Sequence, residues 1–155
     1  MDPQREIEAI KQLKYRYFRF LDSKQWDDLA DCFTEDAVSS YDSGKYGFEG
    51  REKIMDFLRN ALGRPTALTM HHGHHPEIAL TSESTATGTW YLEDTVIDTE
   101  RNTMLRGAAF YCDEYVKVDG QWKLQSTGYR RTFEEVMDRS ETPSLRITRS
   151  MFSGE

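Results

Sequence analysis

The sequence is poor in cysteine and has no long apolar run. Its 155 residues contain two cysteines, Cys32 and Cys112, which argues against a disulfide-stapled secreted module and fits a reducing cytoplasm. No apolar run approaches the roughly 20 residues that a membrane-spanning helix requires. The first residues, MDPQREIEAI, lack the apolar segment of a secretory signal. We therefore expect a cytoplasmic protein that has no membrane partner.

An excess of positive charge is also missing. Lys and Arg number 20 against 27 Asp and Glu, which gives a net charge of −7. Nucleic-acid phosphates and anionic membrane surfaces are bound by basic faces, so we expect neither as a partner. The 37% hydrophobic content is ordinary for a globular protein, and no repeat or Pro/Gly-rich linker divides the chain. Residues 1–155 are therefore predicted to form a single domain.

Three segments show the spacing of amphipathic helices, with an apolar residue every three or four positions. Before the first segment, Asp2 can act as an N-cap and Pro3 occupies the first helical position. After the third, Gly63 and Pro65 indicate a helix end. The predicted helices are Pro3–Leu21, Gln25–Cys32 and Arg51–Leu62.

Alternating apolar and polar residues predict strands in the rest of the chain. Ala37–Tyr41 and Tyr46–Phe48 are typical of a hairpin, and Asp119-Gly120 is a strong signal for a two-residue hairpin turn. The other predicted strands are Leu68–His75, Ser84–Asp98, Met104–Val118 and Gln121–Thr132. Helices followed by antiparallel strands indicate an α+β fold. We expect three helices on a curved, mostly antiparallel sheet, forming a cone-shaped barrel that encloses a pocket.

All four histidines lie within residues 71–75, as HHGHH. Histidine is the side chain whose ordinary pKa suits proton transfer near neutral pH. Neighbouring strand residues point to opposite faces, so at most two of the histidines can enter one pocket. Strand phase leaves open whether His71, or His72 with His74, points inward, because a bulge at Gly73 would change the phase.

Two other interpretations of the histidine cluster are available. Histidines on one face, together with a carboxylate, could hold zinc, and histidines at a strand edge could simply face solvent. The sequence has no Cys-x-x-Cys or His-Glu-x-x-His spacing to favour the metal. We therefore expect no metal in the site.

Asp94 falls on the apolar face of its predicted strand, in phase with Trp90 and Leu92. An unpaired carboxylate there would carry a large desolvation cost, so Asp94 needs a cationic or hydrogen-bonding partner. A pocket histidine paired with a pocket aspartate is the arrangement of an oriented general base. A structural ion pair, or a strand end that reaches solvent, is the alternative.

Tyr17 lies on the apolar face of the first predicted helix, so its hydroxyl needs a partner inside the protein. It is either a core tyrosine or a donor to a substrate carbonyl. Asp22 follows near the helix C-terminus, where the helix dipole disfavours a negative charge. Asp22 either caps the next helix, with Gln25 three residues on, or has a functional role.

Arg131 ends the last predicted strand. A two-residue turn at Asp119-Gly120 would pair Cys112 with Thr127 and put Arg131 on the face of Phe110 and Cys112. An arginine at the end of a mostly apolar face can meet a pocket carboxylate or an anionic ligand group.

Several segments resemble a known family. IEAIKQLKYRYFRFLD, WDDL and FEGREKI resemble the SnoaL-like branch of the nuclear-transport-factor-2-like superfamily. MHHGHHPEI, TATGTWYLED, GAAFYCDEYVKVDGQWK and TGYRR sharpen the resemblance to the bacterial bile acid 7α-dehydratases, relatives of scytalone dehydratase. The likeness runs from about Arg5 to Phe152, although the connection over residues 96–107 is shorter here and the opening helix starts later.

The resemblance implies catalysis inside an α+β cone, with no cofactor and with a homo-oligomer, a trimer in particular. By position, the family's functional residues fall on Tyr17, Asp22, Tyr41, His71, Asp94 and Arg131. It implies that His71 is a general base held in its tautomer by Asp94, and that Tyr17 stabilises an oxyanion. Trp90 and Phe110 would help to line the substrate cavity.

The resemblance predicts a dehydratase that removes water from a hydrophobic polycyclic hydroxy-ketone such as a hydroxy-ketosteroid. Two other functions remain open: a non-catalytic binding or assembly module, since fold does not imply function, and isomerase-like proton transfer on a ketosteroid. An isomerase of that kind uses a carboxylate base, so a His–Asp pair favours elimination.

Overall fold

The computed structural model describes residues 2–154, which form three helices and six strands. The helices are α1 (Pro3–Asp22), α2 (Trp26–Asp31) and α3 (Arg51–Leu62). As predicted, Asp2 caps α1 by accepting a hydrogen bond from the Gln4 amide, 3.1 Å away, and Pro3 opens the helix. Within the described residues, no helix has the length and apolarity needed to cross a membrane.

The six strands form one open, mixed sheet. They are β1 (Phe33–Tyr41), β2 (Tyr46–Glu49), β3 (Ala67–Leu80), β4 (Thr85–Asp98), β5 (Thr103–Val118) and β6 (Gln121–Asp138). Their order across the sheet is β2-β1-β6-β5-β4-β3, and among these neighbours β1 and β6 alone run parallel. The predicted fold class, three helices on a curved and mostly antiparallel sheet, is confirmed.

The strand limits differ from the prediction where the sequence signal is weak. The third strand continues past Pro76 to Leu80, because a register shift between His74 and Glu77 absorbs the interruption. The last strand runs beyond Thr132 to Asp138. The first strand begins at Phe33, earlier than the predicted Ala37.

The Asp119-Gly120 turn is confirmed, but the register beyond it is not the predicted one. Both turn residues have positive φ, and Val118 pairs with Gln121 as expected. Shifts in the β5–β6 pairing then follow, the first between Glu114 and Tyr115 and the second between Ala108 and Ala109. The first shift inserts one residue in β6 and puts Tyr129 and Arg131 opposite Tyr111 and Ala109, and the second inserts another and restores the original phase.

The helices cover the concave face of the sheet, and the core lies between the two layers. From α1, Ile10, Leu13 and Tyr17 are buried, and α3 contributes Ile54 and Leu58. On the sheet side the same core contains Trp90, Leu92, Ala109, Tyr111, Tyr115 and Leu124. The convex face remains uncovered in the single chain and exposes large apolar side chains.

Gly73 allows α1 to approach β3. A Cβ atom at this position would overlap the ring of Phe18, which packs directly on the strand. The bulge that the sequence left open at Gly73 is not formed, because the register shift lies after His74. The absence of a side chain at position 73 serves close packing of the helix.

We expect Gly73→Ala to lower the free energy of unfolding by about 1–3 kcal/mol, because an overpacked core must displace α1 or β3. Gly47→Ala in β2 is the matched control, since a Cβ there would meet Ser39 at an ordinary 3.8 Å. Urea unfolding of both variants measures the difference. An equal loss in the two variants would contradict the packing argument.

Candidate active site

A cavity of about 460 Å³ opens between the concave face of the sheet and helices α1 and α3. Its volume suits a small molecule, since ligand pockets commonly span roughly 300–1,000 Å³. Much of its wall is apolar, with Leu21, Phe57, Leu58, Val96 and Leu105 among the lining residues. The predicted site residues that line it are Tyr17, Tyr41, His71, Asp94 and Arg131.

His71 is the inward-facing histidine of the cluster. Its Nδ1 lies 2.6 Å from Oδ1 of Asp22, and its backbone N–H donates to Oδ2 of Asp22 at 2.8 Å. Since a carboxylate can only accept, Nδ1 carries the proton in the neutral ring and Nε2 is left free to accept one. The arrangement is that of an oriented general base inside a cavity.

Asp22 is the last residue of α1, and it holds the helix to β3. Besides the two bonds with His71, it accepts a 2.8 Å hydrogen bond from Oγ1 of Thr69. These donors offset the unfavourable position of a carboxylate at a helix C-terminus. The capping interpretation is wrong, because the second helix begins after Gln25 with no side-chain cap.

The expected pairing of His71 with Asp94 is wrong. The two residues face each other across β3 and β4, and both line the cavity. Asp94, however, is held by Arg131 in a two-point ion pair, with Nη2 at 2.9 Å from Oδ2. A guanidinium offers two parallel donors to a carboxylate, and this geometry outcompetes a single imidazole bond. Asp22, already beside His71, takes the role that was expected of Asp94.

Arg131 is a charged group in the cavity wall. Burial alone would lower its pKa, but the hydrogen bonds and the charge of Asp94 raise the pKa above its ordinary value. Its Nε also lies 3.2 Å from the carboxylate of Glu134. The guanidinium is therefore permanently cationic and largely neutralised by its neighbours.

Four tyrosine rings line the same cavity as His71. Tyr17, Tyr41 and Tyr111 are almost fully buried, and Tyr129 packs against both Tyr41 and Tyr111. Burial, together with the neighbouring phenols, raises the pKa of Tyr17 and Tyr41 well above the ordinary value. The Tyr41 hydroxyl is buried without a hydrogen-bond partner among the described residues. The cavity wall thus presents protonated phenols, and the Tyr41 hydroxyl is available to donate a hydrogen bond to a ligand.

The two residues predicted as aromatic lining lie elsewhere. Trp90 is fully buried in the core, where its Nε1 donates to the Tyr115 hydroxyl at 3.0 Å. Phe110 is 40% exposed on the convex face and packs against Tyr91. Both expectations are wrong. For Phe110 the cause is the register shift in β6, which puts Arg131 opposite Ala109 and therefore on the face of Tyr111 instead of the face of Phe110.

A charged pair near the tyrosines was not predicted from the sequence. Lys14 of α1 and Asp113 of β5 are fully buried, with Nζ 2.8 Å from Oδ2, and the ammonium lies 3.6 Å from the ring centre of Tyr111. Thr127 and Tyr115 donate to the same carboxylate at 2.7 Å. Burial lowers the pKa of Lys14, and Asp113 partly offsets that effect. Asp113 shares a strand face with Tyr111 and Tyr115, and this spacing was the available signal.

The buried phenols predict a loss of stability at alkaline pH. Their pKa values are higher in the folded chain than in the unfolded chain, Tyr129 reaching about 12 because of burial. The stabilising contribution is complete below the ordinary tyrosine pKa of about 10 and is lost as the pH rises from there toward the folded values. Unfolding free energies measured across this range should fall, and Tyr129→Phe should lessen the fall.

Phenolate absorbance of the folded protein gives an independent reading of the same effect. Ionisation of all eight tyrosines near their ordinary pKa, without unfolding, would contradict the burial of this cluster.

Comparison with known proteins agrees with this architecture. A family model described as a SnoaL-like domain matches residues 4–128. A candidate scytalone dehydratase from Novosphingobium aromaticivorans is 29% identical with a TM-score of 0.78, over 84% of this chain and 86% of the other. The hexachlorocyclohexane dehydrochlorinase LinA-type3 from Novosphingobium barchaimii shares the fold at 22% identity and a TM-score of 0.76, over 86% of this chain and 91% of the other. The chain belongs to the SnoaL-like domain family.

Proposed function

We propose that the chain is a carbon–oxygen lyase that eliminates water from a polycyclic hydroxy-ketone such as a hydroxy-ketosteroid of the bile acid type. The observation that carries the proposal is the hydrogen bond between Asp22 and His71, at 2.6 Å, in the wall of a largely apolar cavity. The name of one structural neighbour, a candidate scytalone dehydratase, denotes an elimination and favours the same reaction class.

The first step is removal of a carbon-bound proton. Nε2 of His71 accepts the proton, and the Asp22 carboxylate stabilises the imidazolium that forms. The electrons of the broken C–H bond move through the conjugated system onto the ketone oxygen. Such a proton is acidic only when the carbon is attached to a carbonyl group directly or through a double bond.

Tyr17 and Tyr41 donate hydrogen bonds to the ketone oxygen, on which negative charge develops. Burial raises the pKa of both phenols, so both remain protonated donors at neutral pH. A donor that is already in place needs no reorganisation when the charge appears, which is the physical basis of oxyanion stabilisation. The unpaired Tyr41 hydroxyl is the donor most ready for this role.

The second step expels the hydroxyl group. The electron pair returns from the oxygen to form the new double bond, and the C–O bond breaks. The imidazolium of His71 gives its proton to the leaving hydroxyl, which departs as water and restores the base. Asp22 lies behind the ring and orients it, so the proton return passes through His71. The reaction is redox-neutral, and side chains perform every proton transfer in it, so the proposal invokes no cofactor.

The shape of the cavity favours a rigid apolar substrate. Its volume of about 460 Å³ and its leucine and aromatic lining suit a fused-ring skeleton. Arg131 and Asp94 lie together at one side, where a polar ring substituent or side chain can be positioned. The two cysteines are unpaired, which fits the reducing cytoplasm in which we propose that the enzyme works.

We also propose that the chain assembles as a homo-oligomer, a trimer by the family resemblance, through the convex side of β5 and β6. Phe110 and Phe133 are exposed there to 40% and 55%. Large exposed apolar patches on a sheet face typically mark protein–protein contacts.

Replacement of the base is the direct test of the proposed function. With a 3-oxo-Δ4 steroid that carries the hydroxyl in vinylogous position, the wild type should extend the conjugation and shift the ultraviolet band. We expect His71→Asn to lower kcat by about a hundred- to ten-thousand-fold, the usual contribution of a general base, and Asp22→Asn to lower it by a smaller factor.

The matched control is His75→Asn, since His75 lies outside the cavity and tolerates asparagine at its positive φ. Undiminished dehydration by His71→Asn would overturn the proposed mechanism. A ligand that binds without any spectral change would favour a binding module, and a migrated double bond without loss of water would favour an isomerase.

Assembly is tested separately by Phe133→Glu, which places a charge in the exposed patch of β5 and β6. Sedimentation of the wild type should give a mass above that of one 18.1 kDa chain, and the variant should shift toward the monomer. A wild type that sediments as a monomer at micromolar concentration would contradict the proposed assembly.

A further inference from the structure

His72 and His74 take no part in the proposed mechanism. They alternate with His71 along β3, so both point to the convex face, away from the cavity. Glu93 of β4 lies directly opposite His72 and points to the same side. One ligand atom from each of the three residues lies within 4.8 Å of the other two. Two imidazoles and a carboxylate therefore meet at the sheet edge formed by β3.

The separations are close to those of a zinc site. Two ligand atoms bound tetrahedrally to zinc at about 2 Å lie roughly 3.3 Å from one another. Nε2 of His74 is already 4.0 Å from Oε2 of Glu93, and the rings of His72 and His74 have centres 5.7 Å apart. The side chains are exposed, so small rotamer adjustments would close the remaining distance.

The backbone gives these ligands a fixed frame. His72 and His74 are separated by Gly73, whose own position is set by the Phe18 ring on the opposite face. Residues two apart on a strand present their side chains side by side, and Glu93 is paired with His72 in the ladder. A site built on paired strands loses less conformational freedom on binding than one built on a loop.

We propose that His72, His74 and Glu93 bind one zinc ion on the convex face of the sheet, separate from the cavity. The donor set of two neutral imidazoles and one carboxylate is one that zinc accepts, with water in the remaining position. The glutamate charge compensates part of the charge of the ion. The site lies on β3 and β4, on the same convex face as the apolar patch of β5 and β6.

The test is a calorimetric titration of the untagged, chelator-treated chain with Zn²⁺ alone. The wild type should bind one ion per chain, and His72→Ala or His74→Ala should weaken binding by at least about tenfold, since even the outer partners of metal ligands contribute that much. Glu93→Gln should also weaken it. Co²⁺ in place of Zn²⁺ should give visible absorption bands that the double variant His72→Ala/His74→Ala lacks.

His75→Asn is the matched control for the zinc site. Its ring centre lies only 5.9 Å from that of His74, but the residue does not belong to the cluster, so its replacement should leave the affinity unchanged. The inference is overturned by a wild type that binds no Zn²⁺, by a double variant that binds as well as the wild type, or by a loss confined to His75→Asn. Each variant should retain the dehydratase activity of the wild type, so this result is independent of the proposed function.

Discussion

The pairing of Asp22 with His71 is the interaction on which the site depends. It joins the last residue of a 20-residue helix to the middle of a strand 49 positions later in the chain. Because the carboxylate takes both the ring N–H and the backbone N–H of His71, it fixes the position of the residue and the tautomer of its ring. Helix α1 thus serves as a structural element of the fold and as the support of the proposed base.

The cost of buried charge organises the rest of the cavity wall. Asp94 and Asp113 both lie on the concave side of the sheet and are almost fully buried, so each needs a cation. Arg131 forms an ion pair with Asp94, and Lys14 forms one with Asp113. With both carboxylates engaged, the carboxylate that remains for the imidazole is Asp22. Each buried aspartate is paired with the cation that lies within reach of its position on the strand.

Local sequence patterns predicted much of this architecture. The amphipathic spacing gave all three helices to within a few residues, because 3.6-residue periodicity is a strong signal over a long segment. The Asp119-Gly120 turn and the α+β class followed from equally local chemistry. The same patterns, with the family resemblance, identified Tyr17, Tyr41, His71, Asp94 and Arg131, and the cavity brings all of them together.

The errors arise where a single inserted residue or a distant contact decides the outcome. The register shift at Glu114/Tyr115 put Arg131 on the face of Tyr111 instead of the face of Phe110, and strand alternation alone cannot reveal such a shift. The partner of His71 was misassigned because Asp22 and Asp94 both come close to it in three dimensions. The competing claim of Arg131 on Asp94 decides between them, and it depends on the packing of β4, β5 and β6.

The structure of the chain with a bound steroidal hydroxy-ketone would test the central claim most directly. The account predicts the acidic carbon within about 3–3.5 Å of Nε2 of His71, as in a near-attack geometry, and the ketone oxygen in hydrogen-bond contact with Tyr17 or Tyr41. A ligand bound in the cavity with its reacting carbon remote from His71, or bound on the convex face instead, would contradict it.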